Sequence, residues 1–178
     1  MRIIAGVYKG RKLLELKEEG VRPTLDRVRE NLFNILSSKI KDCDFLDLFA
    51  GSGAIGIEAL SRGARTVTFV DKNPKIIAHI KKNLTIIKQD CQCLVSDYKS
   101  ALKKISDSYD IVYVDPPYSF DSCEVTEAIE MSGKLRDDGL VIYEHDSSKD
   151  ISVSDGWEIY DERKYGIAKL SFLRRKNV

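Results

Sequence analysis

The apolar positions of the chain fall into short runs that predict buried strands, separated by segments with helical spacing. Five runs have the length and composition of buried strands: Phe45 to Phe49, Thr66 to Val70, Cys91 to Val95, Ile111 to Val114, and Leu140 to Glu144 after a turn at Asp137-Asp138-Gly139. Two further runs, Trp157 to Lys164 and Ile167 to Arg174, flank Tyr165-Gly166 and predict an antiparallel pair. The pattern therefore predicts an α/β protein with a seven-stranded, mostly parallel, doubly wound sheet and one antiparallel strand.

Two of the intervening helices have clear start signals. Thr24 can cap a helix from Leu25 to about Ser37. Its apolar stripe is Leu25, Val28, Leu32, Ile35 and Leu36. Arg27 and Arg29 fall outside this stripe, so both are expected to be solvent-exposed. Pro74 starts another helix, whose inner face is Ile76, Ile77, Ile80 and Leu84.

The first 20 residues are expected to form a basic β-hairpin extension, followed by one α/β domain over residues 21–178. The arms are Arg2 to Ala5 and Arg11 to Leu16, and Gly6 to Gly10 connects them. The hairpin is too short to have a core of its own, so it either docks on the domain or reaches towards a partner. Arg2, Lys9, Arg11 and Lys12 beside Tyr8 suit phosphate contact and base stacking.

A glycine turn follows the first predicted strand of the domain and starts a helix. Gly51, Gly53 and Gly56 satisfy G-x-G-x-x-G, and Asp71 follows Gly51 by 20 residues at the end of the second strand. This spacing fits a dinucleotide site, in which the acid binds a ribose. Asp47, inside the first strand, instead favours a ligand with a positive charge at that point, since a pyrophosphate would be repelled there. Asp71 is placed to accept from both hydroxyls of a ribose in either case.

The sequence Asp115-Pro116-Pro117-Tyr118 follows the fourth predicted strand, at the same edge of the sheet. The two prolines stiffen the loop and fix the direction of the Pro116 carbonyl. A carboxylate and a fixed carbonyl are two acceptors, which match the two donors of an amino group on a nucleobase. Hydrogen bonds that strengthen as this nitrogen becomes positive stabilise the transition state of its alkylation. Tyr118 can stack on an extruded base.

Composition limits the class of protein. A chain of 178 residues with 43% hydrophobic residues predicts one folded domain. With no signal-peptide pattern and no membrane-length apolar run, we expect a cytoplasmic protein. Its four cysteines lack metal-ligand spacing, so reduced thiols and no metal are expected. Residues 1–41 carry 10 Lys or Arg and 5 Asp or Glu, a net +5, whereas the remainder is at −4. This asymmetry fits either a polyanionic partner or a solvated charged face.

The glycine loop and DPPY together resemble the amino-methyltransferases that use S-adenosylmethionine (SAM). Four segments narrow the resemblance: MRIIAGVYKGRKL at 1–13, RPTLDRVRENLFNIL at 22–36, LDLFAGSGAIGIEALSRGA at 46–64, and DPPY at 115–118. Together they are similar to the bacterial small-subunit rRNA (guanine-N2)-methyltransferase family, which modifies 16S rRNA. The resemblance spans nearly the whole chain and implies a Rossmann-like methyltransferase fold, SAM as cofactor, a monomer, and 16S rRNA in the small ribosomal subunit or its assembly intermediate as partner.

The resemblance also implies roles for individual residues. The catalytic set is Asp115, Pro116, Pro117 and Tyr118. The cofactor-binding set is Asp47, Phe49, Ala50, Gly51, Ser52, Gly53, Asp71, Lys72, Asp97 and Tyr98. Asp97 matches the position that holds the adenine amine in related enzymes, although a helix cap explains it equally well. The RNA-binding set is Arg2, Lys9, Arg11, Lys12, Arg22 and Arg27.

Three alternatives remain at the level of the sequence. DNA adenine-N6 methyltransferases also carry DPPY, but 178 residues leave little room for their target-recognition domain. An NAD-dependent oxidoreductase fits the glycines and leaves DPPY unexplained. A non-catalytic RNA-binding module with a vestigial site is disfavoured because Gly51, Gly53, Asp71 and DPPY are all intact. Binding of SAM or NAD, and methyl transfer to small subunits or duplex DNA, distinguish these alternatives.

Overall fold

The computed structural model describes residues 1–16 and 26–176 and is built around one seven-stranded sheet. The strands are β1 Asp44–Asp47, β2 Thr66–Asp71, β3 Gln92–Val95, β4 Tyr109–Val114, β5 Leu135–Asp146, β6 Trp157–Tyr165 and β7 Ala168–Arg175. Their order is β3-β2-β1-β4-β5-β7-β6. β1 to β5 pair in parallel, and β7 runs antiparallel to both β5 and β6. The predicted Rossmann-like sheet with one antiparallel strand is confirmed.

Helices cover both faces of the sheet. They are α1 Asp26–Ile35, α2 Ala54–Ser61, α3 Pro74–Ile86, α4 Tyr98–Lys104 and α5 Ser122–Ser132, with a 3₁₀ turn at Leu36–Ser38. The apolar residues of α1, α2 and α3 pack into one core cluster, and those of α4 and α5 pack into the other. In the part of the chain that the structure describes, no helix has the length and apolar character needed to cross a bilayer.

Residues 1–16 dock on the domain through buried side chains. The two arms run antiparallel with a single β-bridge, Arg2 to Lys12, so a regular two-stranded ladder does not form. Ile3 and Leu13 are only 1% and 7% exposed and belong to the core cluster of α1 to α3. The antiparallel course of the two arms is therefore confirmed. The arms do not form the regular two-stranded ladder of a β-hairpin. The expected domain boundary at residue 20 and the cap at Thr24 lie outside the described residues.

Several local expectations were wrong. Arg29 is buried, because its guanidinium donates to the Arg2 carbonyl (2.6 Å) and lies against the buried acid Glu58. Ile35, expected on the inner stripe, is 38% exposed at the end of α1. The turn expected at 137–139 lies instead within β5, where the register against β4 shifts.

Helix α5 was not predicted, although its end signals are present in the sequence. The Asp121 side chain accepts from the Cys123 N–H (2.8 Å) and caps the first turn, and Gly133 ends the helix in the left-handed conformation. The inner face has only two large apolar residues, Val125 and Ile129, with Thr126 beside them. This short stripe explains why the pattern was missed.

Candidate active site

The loops after β1, β2 and β4 meet at the edge of the sheet where the strand order reverses. β2 and β3 lie on one side of β1, whereas β4 and the later strands lie on its other side. In open α/β sheets, ligands bind beyond the carboxyl ends of strands at such a position. The glycine loop after β1, Asp71 after β2 and DPPY after β4 therefore share one crevice edge. The sequence prediction of this edge is confirmed by the topology.

The glycine loop has backbone conformations that favour glycine. Gly51 and Gly53 have φ values of 51° and 75°. A Cβ on Gly53 would lie 2.8 Å from Ile80 of α3. Gly56 has a different role, since a Cβ there would lie 2.3 Å from the ring of Phe69 in β2. The first two glycines shape the loop, and Gly56 lets α2 pack closely on the sheet.

Asp47 lies beneath this loop and is 1% exposed. Its Oδ2 accepts from the Gly56 N–H (3.1 Å) in the first turn of α2. Burial raises the pKa of Asp47 to about 7, the nearby charge of Asp71 adds to this effect, and the Gly56 N–H opposes it. Asp47 thus supports the start of α2 from below, a structural role beyond the ligand contact expected from the sequence.

Asp71 connects the ends of two strands at the same edge. Its Oδ2 accepts from the Gly51 N–H (3.1 Å), and its Oδ1 accepts from the Asn73 N–H (2.9 Å). A carboxylate has about four lone-pair sites, so both oxygens of this partly exposed group can accept again. Lys72 is exposed beside it, and Asn73 caps α3 by accepting from the Lys75 N–H (2.9 Å).

A cluster of three aromatic rings forms an apolar wall between the cofactor set and the DPPY loop. The ring centroids of Phe49 and Tyr98 lie 5.4 Å apart, and Phe120 lies 5.5 Å from Phe49 and 5.8 Å from Tyr98. Phe49 follows β1 and Tyr98 begins α4, so the fold brings these two members of the cofactor set together. Phe120 was missed by the sequence analysis. Its only local signal is an aromatic residue two positions after Tyr118.

Asp97 caps α4. Its carboxylate accepts from the Ser100 N–H (3.0 Å), and this hydrogen bond lowers the pKa of Asp97. The capping role left open by the sequence is confirmed, and the adenine contact stays a prediction. Asp97 is exposed, so its carboxylate can still accept from a ligand.

DPPY follows β4 directly, and its four residues differ in exposure. Asp115 is partly buried, Pro116 is buried, and Tyr118 is 52% exposed. The Pro117 carbonyl accepts from the Phe120 N–H (3.0 Å), which closes a tight turn. This turn connects the loop to the aromatic cluster, and the Tyr118 side chain is exposed beside it.

Two buried tyrosines and an acid lie behind Asp115. The Tyr113 hydroxyl donates to Glu144, and burial raises the pKa of Glu144. Burial also raises the pKa of Tyr113, with the charges of Glu144 and Asp115 adding to it. Burial also raises the pKa of Tyr143, and the charge of Asp115 adds to this effect. Asp115 therefore stands at the rim of a low-dielectric region, where its charge acts strongly on neighbours.

The predicted RNA-binding residues do not gather at the DPPY loop. Val7 donates to the carbonyl of Ser61 (2.7 Å), the last residue of α2, so the Gly6–Gly10 connection lies at the end of α2 far from the glycine loop. Arg11 stacks over the Tyr8 ring (5.2 Å), whose hydroxyl accepts from Gln89. Tyr8 is thereby engaged within the protein, and its expected role in base stacking stays a prediction.

The other predicted RNA-binding residues are placed as follows. Arg2, Lys9, Arg11 and Lys12 are exposed on the docked segment, and Arg27 is exposed in the first turn of α1. Arg22 lies outside the described residues. The exposure of these five cations permits RNA contact, and their role remains a prediction.

Comparisons with known proteins match the whole chain. The chain is 37% identical to "Ribosomal RNA small subunit methyltransferase D" of Haemophilus influenzae over 94% of this chain and 90% of that protein. It is 38% identical to the protein of the same name from Escherichia coli, over 93% and 85%. A solved structure described as "Putative methyltransferase yhhF from Escherichia coli" superposes with a TM-score of 0.87 at 34% identity, covering 100% of this chain and 99% of that one. The family model described as "Conserved hypothetical protein 95" matches residues 1–174, and the chain belongs to this family.

Proposed function

We propose that this protein is a SAM-dependent methyltransferase that modifies the exocyclic N2 amine of a guanine in 16S rRNA of the small ribosomal subunit. The observation that carries the proposal is the DPPY loop at the switch point of the sheet, beside the glycine loop and Asp71. The relatives named as small-subunit rRNA methyltransferases support the choice of ribosomal RNA over DNA.

The residues at this edge fit SAM in charge and shape. The glycine loop leaves room for close approach of a ligand, and Asp71 can accept from ribose hydroxyls at its exposed side. The rings of Phe49 and Tyr98 give an apolar surface for an adenine, with Asp97 next to them as an acceptor. SAM, when bound, supplies an electrophilic methyl group on a positively charged sulfur. No pyrophosphate would be favoured above the buried acid Asp47, which disfavours the dinucleotide alternative.

The DPPY residues would act on the guanine. The Asp115 carboxylate and the Pro116 carbonyl accept the two N–H donors of the N2 amine and orient its nitrogen. Their attraction grows as positive charge develops on that nitrogen, so they favour the transition state over the ground state. Tyr118, exposed at the end of the loop, stacks on the extruded base. No prior deprotonation of the amine is needed for this arrangement, because the proton that the methylated nitrogen loses would pass to the Asp115 carboxylate that already accepts its hydrogen bond.

The relevant substrate is the small subunit or an assembly intermediate in the cytoplasm, and the protein acts as a monomer in this proposal. Because the catalytic loop lies on a single chain, a monomer has every residue of the set. Gel filtration coupled to light scattering gives the oligomeric state. A dimer in which activity requires residues of two chains would contradict this part of the proposal.

Labelling with tritiated SAM tests the function. Small subunits that lack the modification, naked 16S rRNA and duplex DNA are incubated with the protein, and nucleosides are then analysed. Label in N2-methylguanosine from the small-subunit RNA is expected. Label in N6-methyladenosine of duplex DNA, or no transfer to any of these substrates, would contradict the proposal.

A further inference from the structure

We propose that α3 and the docked residues 1–14 form one continuous surface for RNA phosphates, with Lys81 and Lys82 as contacts additional to the N-terminal cations. This inference rests on the proposed function and adds a binding surface to it. We use the name α3 basic face for Arg2, Lys9, Arg11, Lys12, Lys81, Lys82 and Lys88. All seven are exposed.

Two separate stretches of sequence contribute only positively charged side chains to this face. Residues 1–14 contain four Lys or Arg and no Asp or Glu. Residues 72–89 contain five Lys and again no Asp or Glu. Such a surface attracts a polyanion, and the exposed acids at its borders, Glu15 and Asp90, are fewer than its cations. Residues 42–178 have a net charge of −4 because their acids outnumber their basic residues, so this net charge does not reveal that α3 is basic.

Hydrogen bonds join the two stretches into one surface. The Leu14 N–H donates to Asn83 Oδ1 (2.8 Å), and the side chain of Asn83 returns a bond to the Leu14 carbonyl (3.4 Å). One turn further along α3, Arg11 Nη1 donates to the Ile86 carbonyl (3.0 Å). Asn83 is fully buried, so this connection is a fixed part of the fold. The docked segment therefore runs along α3.

Lys81 and Lys82 widen the face on α3. Lys82 lies one helical turn from His79, whose ring contacts Asn83 (3.1 Å), so Lys82 lies on the side of α3 next to the docked segment. Lys81 lies two positions before Asn83, which is about 200° around the helix, so Lys81 lies on the other side of α3 from the docked segment. Among the described residues, neither lysine forms an ion pair. The two ammonium groups thus extend the cations of the docked segment across the width of α3.

The position of α3 relates this face to the catalytic loop. The helix starts three residues after Asp71, at the active-site edge, and its last turn reaches Arg11. Lys82 lies eight residues into the helix, about 12 Å from that edge. β4, which carries DPPY, lies two strands from β2, or about 10 Å across the edge. An RNA strand held on α3 can therefore reach the DPPY loop.

The opposite face of the sheet has different electrostatics. Helix α5 carries Glu124, Glu127 and Glu130, and Lys99 of α4 pairs with Glu124. Lys103 and Lys104 at the end of α4 are exposed, adjacent in sequence, and on this opposite face. They give a control pair that matches Lys81 and Lys82 in charge, spacing and exposure and differs in location.

The test compares two double variants, K81Q/K82Q and K103Q/K104Q, with the wild-type protein. Affinity for small subunits that lack the modification is measured over a series of salt concentrations, together with SAM affinity and thermal stability. Loss of two phosphate contacts should reduce the slope of log affinity against log salt by about 1.4 to 1.8. K81R/K82R keeps the charges and should restore the slope. The control pair, SAM affinity and stability should stay at wild-type values.

Several results would overturn the inference. Wild-type affinity and slope in K81Q/K82Q would exclude phosphate contacts by these lysines. An equal loss in both double variants would show that only net charge matters, and a loss of affinity with an unchanged slope would indicate a partner surface other than phosphate. The proposed function is checked separately, since wild-type protein that binds the particles but transfers no methyl group would contradict the function and leave the binding result intact.

Discussion

Asp71, Asp47 and Asp115 lie in this order along the carboxyl edge of the sheet, and the first two accept hydrogen bonds from backbone N–H groups in addition to their proposed ligand contacts. Asp47 supports α2 through Gly56, and Asp71 joins Gly51 to Asn73. Substitution of either acid therefore changes the loop as well as the ligand contact. Asp115 is the residue whose chemistry is tested most directly.

Asp115→Ala should reduce methyl transfer by ~100- to 1000-fold, because it removes one of two fixed acceptors for the guanine amine. Asp115→Asn should be milder, since its amide oxygen still accepts although its charge no longer offsets the developing cation. Single-turnover labelling at saturating SAM gives the order wild type, Asn, Ala.

SAM affinity measured by calorimetry is the control for these variants and should be unchanged. An Ala variant within about twofold of wild type falls far below the expected loss. It would show that Asp115 only ends the strand.

Asp47→Asn should change how stability depends on pH. The pKa of Asp47 rises from 3.8 to about 7 on folding, so the folded protein holds a proton that the unfolded chain releases. This contribution to the free energy of unfolding is fully present below pH 3.8 and is lost as the pH rises to about 7. Denaturant unfolding between pH 4 and 8 should show the wild type losing more stability than the Asn variant.

Bound SAM should lower the pKa of Asp47, whereas folding raises it. A positive charge near Asp47 favours its ionised form, so SAM binding should release a proton near pH 6 to 7. Calorimetry in two buffers with different ionisation enthalpies measures that proton. Equal proton release by the wild type and Asp47→Asn would place the titrating group elsewhere.

The sequence was informative about residues whose location in the fold follows from their position relative to a strand. Gly51, Asp71 and DPPY are predictable because parallel strands bring their carboxyl ends to one edge. Residues whose role depends on a distant partner were not predictable. Arg29 is buried only because Arg2 and Glu58 come to it, and Phe120 joins Phe49 and Tyr98 only in the folded chain.

At the level of elements, Glu58 in α2 holds the docked N-terminal segment. This acid is 1% exposed and accepts from the N–H groups of Ile4 (2.9 Å) and Ala5 (3.0 Å). It also pairs with Arg62 (2.9 Å) and lies 3.8 Å from Arg29. One buried carboxylate thus accepts from the backbone of the docked segment and lies against two cations, Arg29 of α1 and Arg62 at the end of its own helix.

Glu58→Ala should lower the free energy of unfolding by about 3–5 kcal/mol, because it removes the buried acid beside Arg29 and leaves that cation with only the exposed acid Asp26. Hydrogen exchange at Ile4 and Ala5 should accelerate more than exchange in β1. Glu127→Ala, at an exposed position of α5, is the control and should stay within about 0.5 kcal/mol of wild type. Protected amides at Ile4 and Ala5 in the Glu58 variant would show that Ile3 and Leu13 suffice to dock the segment.

Elements with a long apolar pattern were predicted and those with a short pattern were not. The five parallel strands were found, although β4 and β5 begin earlier than expected, at Tyr109 and Leu135. The register shift between them depends on pairing, which a local pattern does not contain. Helix α5 has too few apolar positions to be recognised without its caps.

For the molecule as a whole, the two faces of the sheet have different roles. One face carries α1 to α3, the docked segment and the α3 basic face, and the other carries α4 and the acidic α5. The switch point lies between these layers, at the carboxyl ends of β1, β2 and β4. Ligand binding there should stabilise the whole domain, because loops from β1, β2 and β4 meet at one site.

SAM at 100 times its dissociation constant should raise the free energy of unfolding by about 2.7 kcal/mol. For a domain of this size that corresponds to a thermal shift of roughly 5 to 10 °C. NAD should give no shift, because a pyrophosphate is disfavoured above Asp47. Thermal unfolding with each ligand is the measurement, and stabilisation by NAD alone would contradict the cofactor assignment.

Asp71→Ala extends this test from the ligand to the site. The substitution should lower the melting temperature without ligand, since Gly51 and Asn73 lose their acceptor. Loss of the ribose hydrogen bonds should weaken SAM binding by about 1–3 kcal/mol, so the shift produced by a fixed SAM concentration should shrink as well. The informative quantity is therefore the difference between the melting temperatures with and without SAM. A full SAM shift in a destabilised Asp71→Ala variant would mean that Asp71 only joins the loops of β1 and β2, and that the ribose is held by another residue.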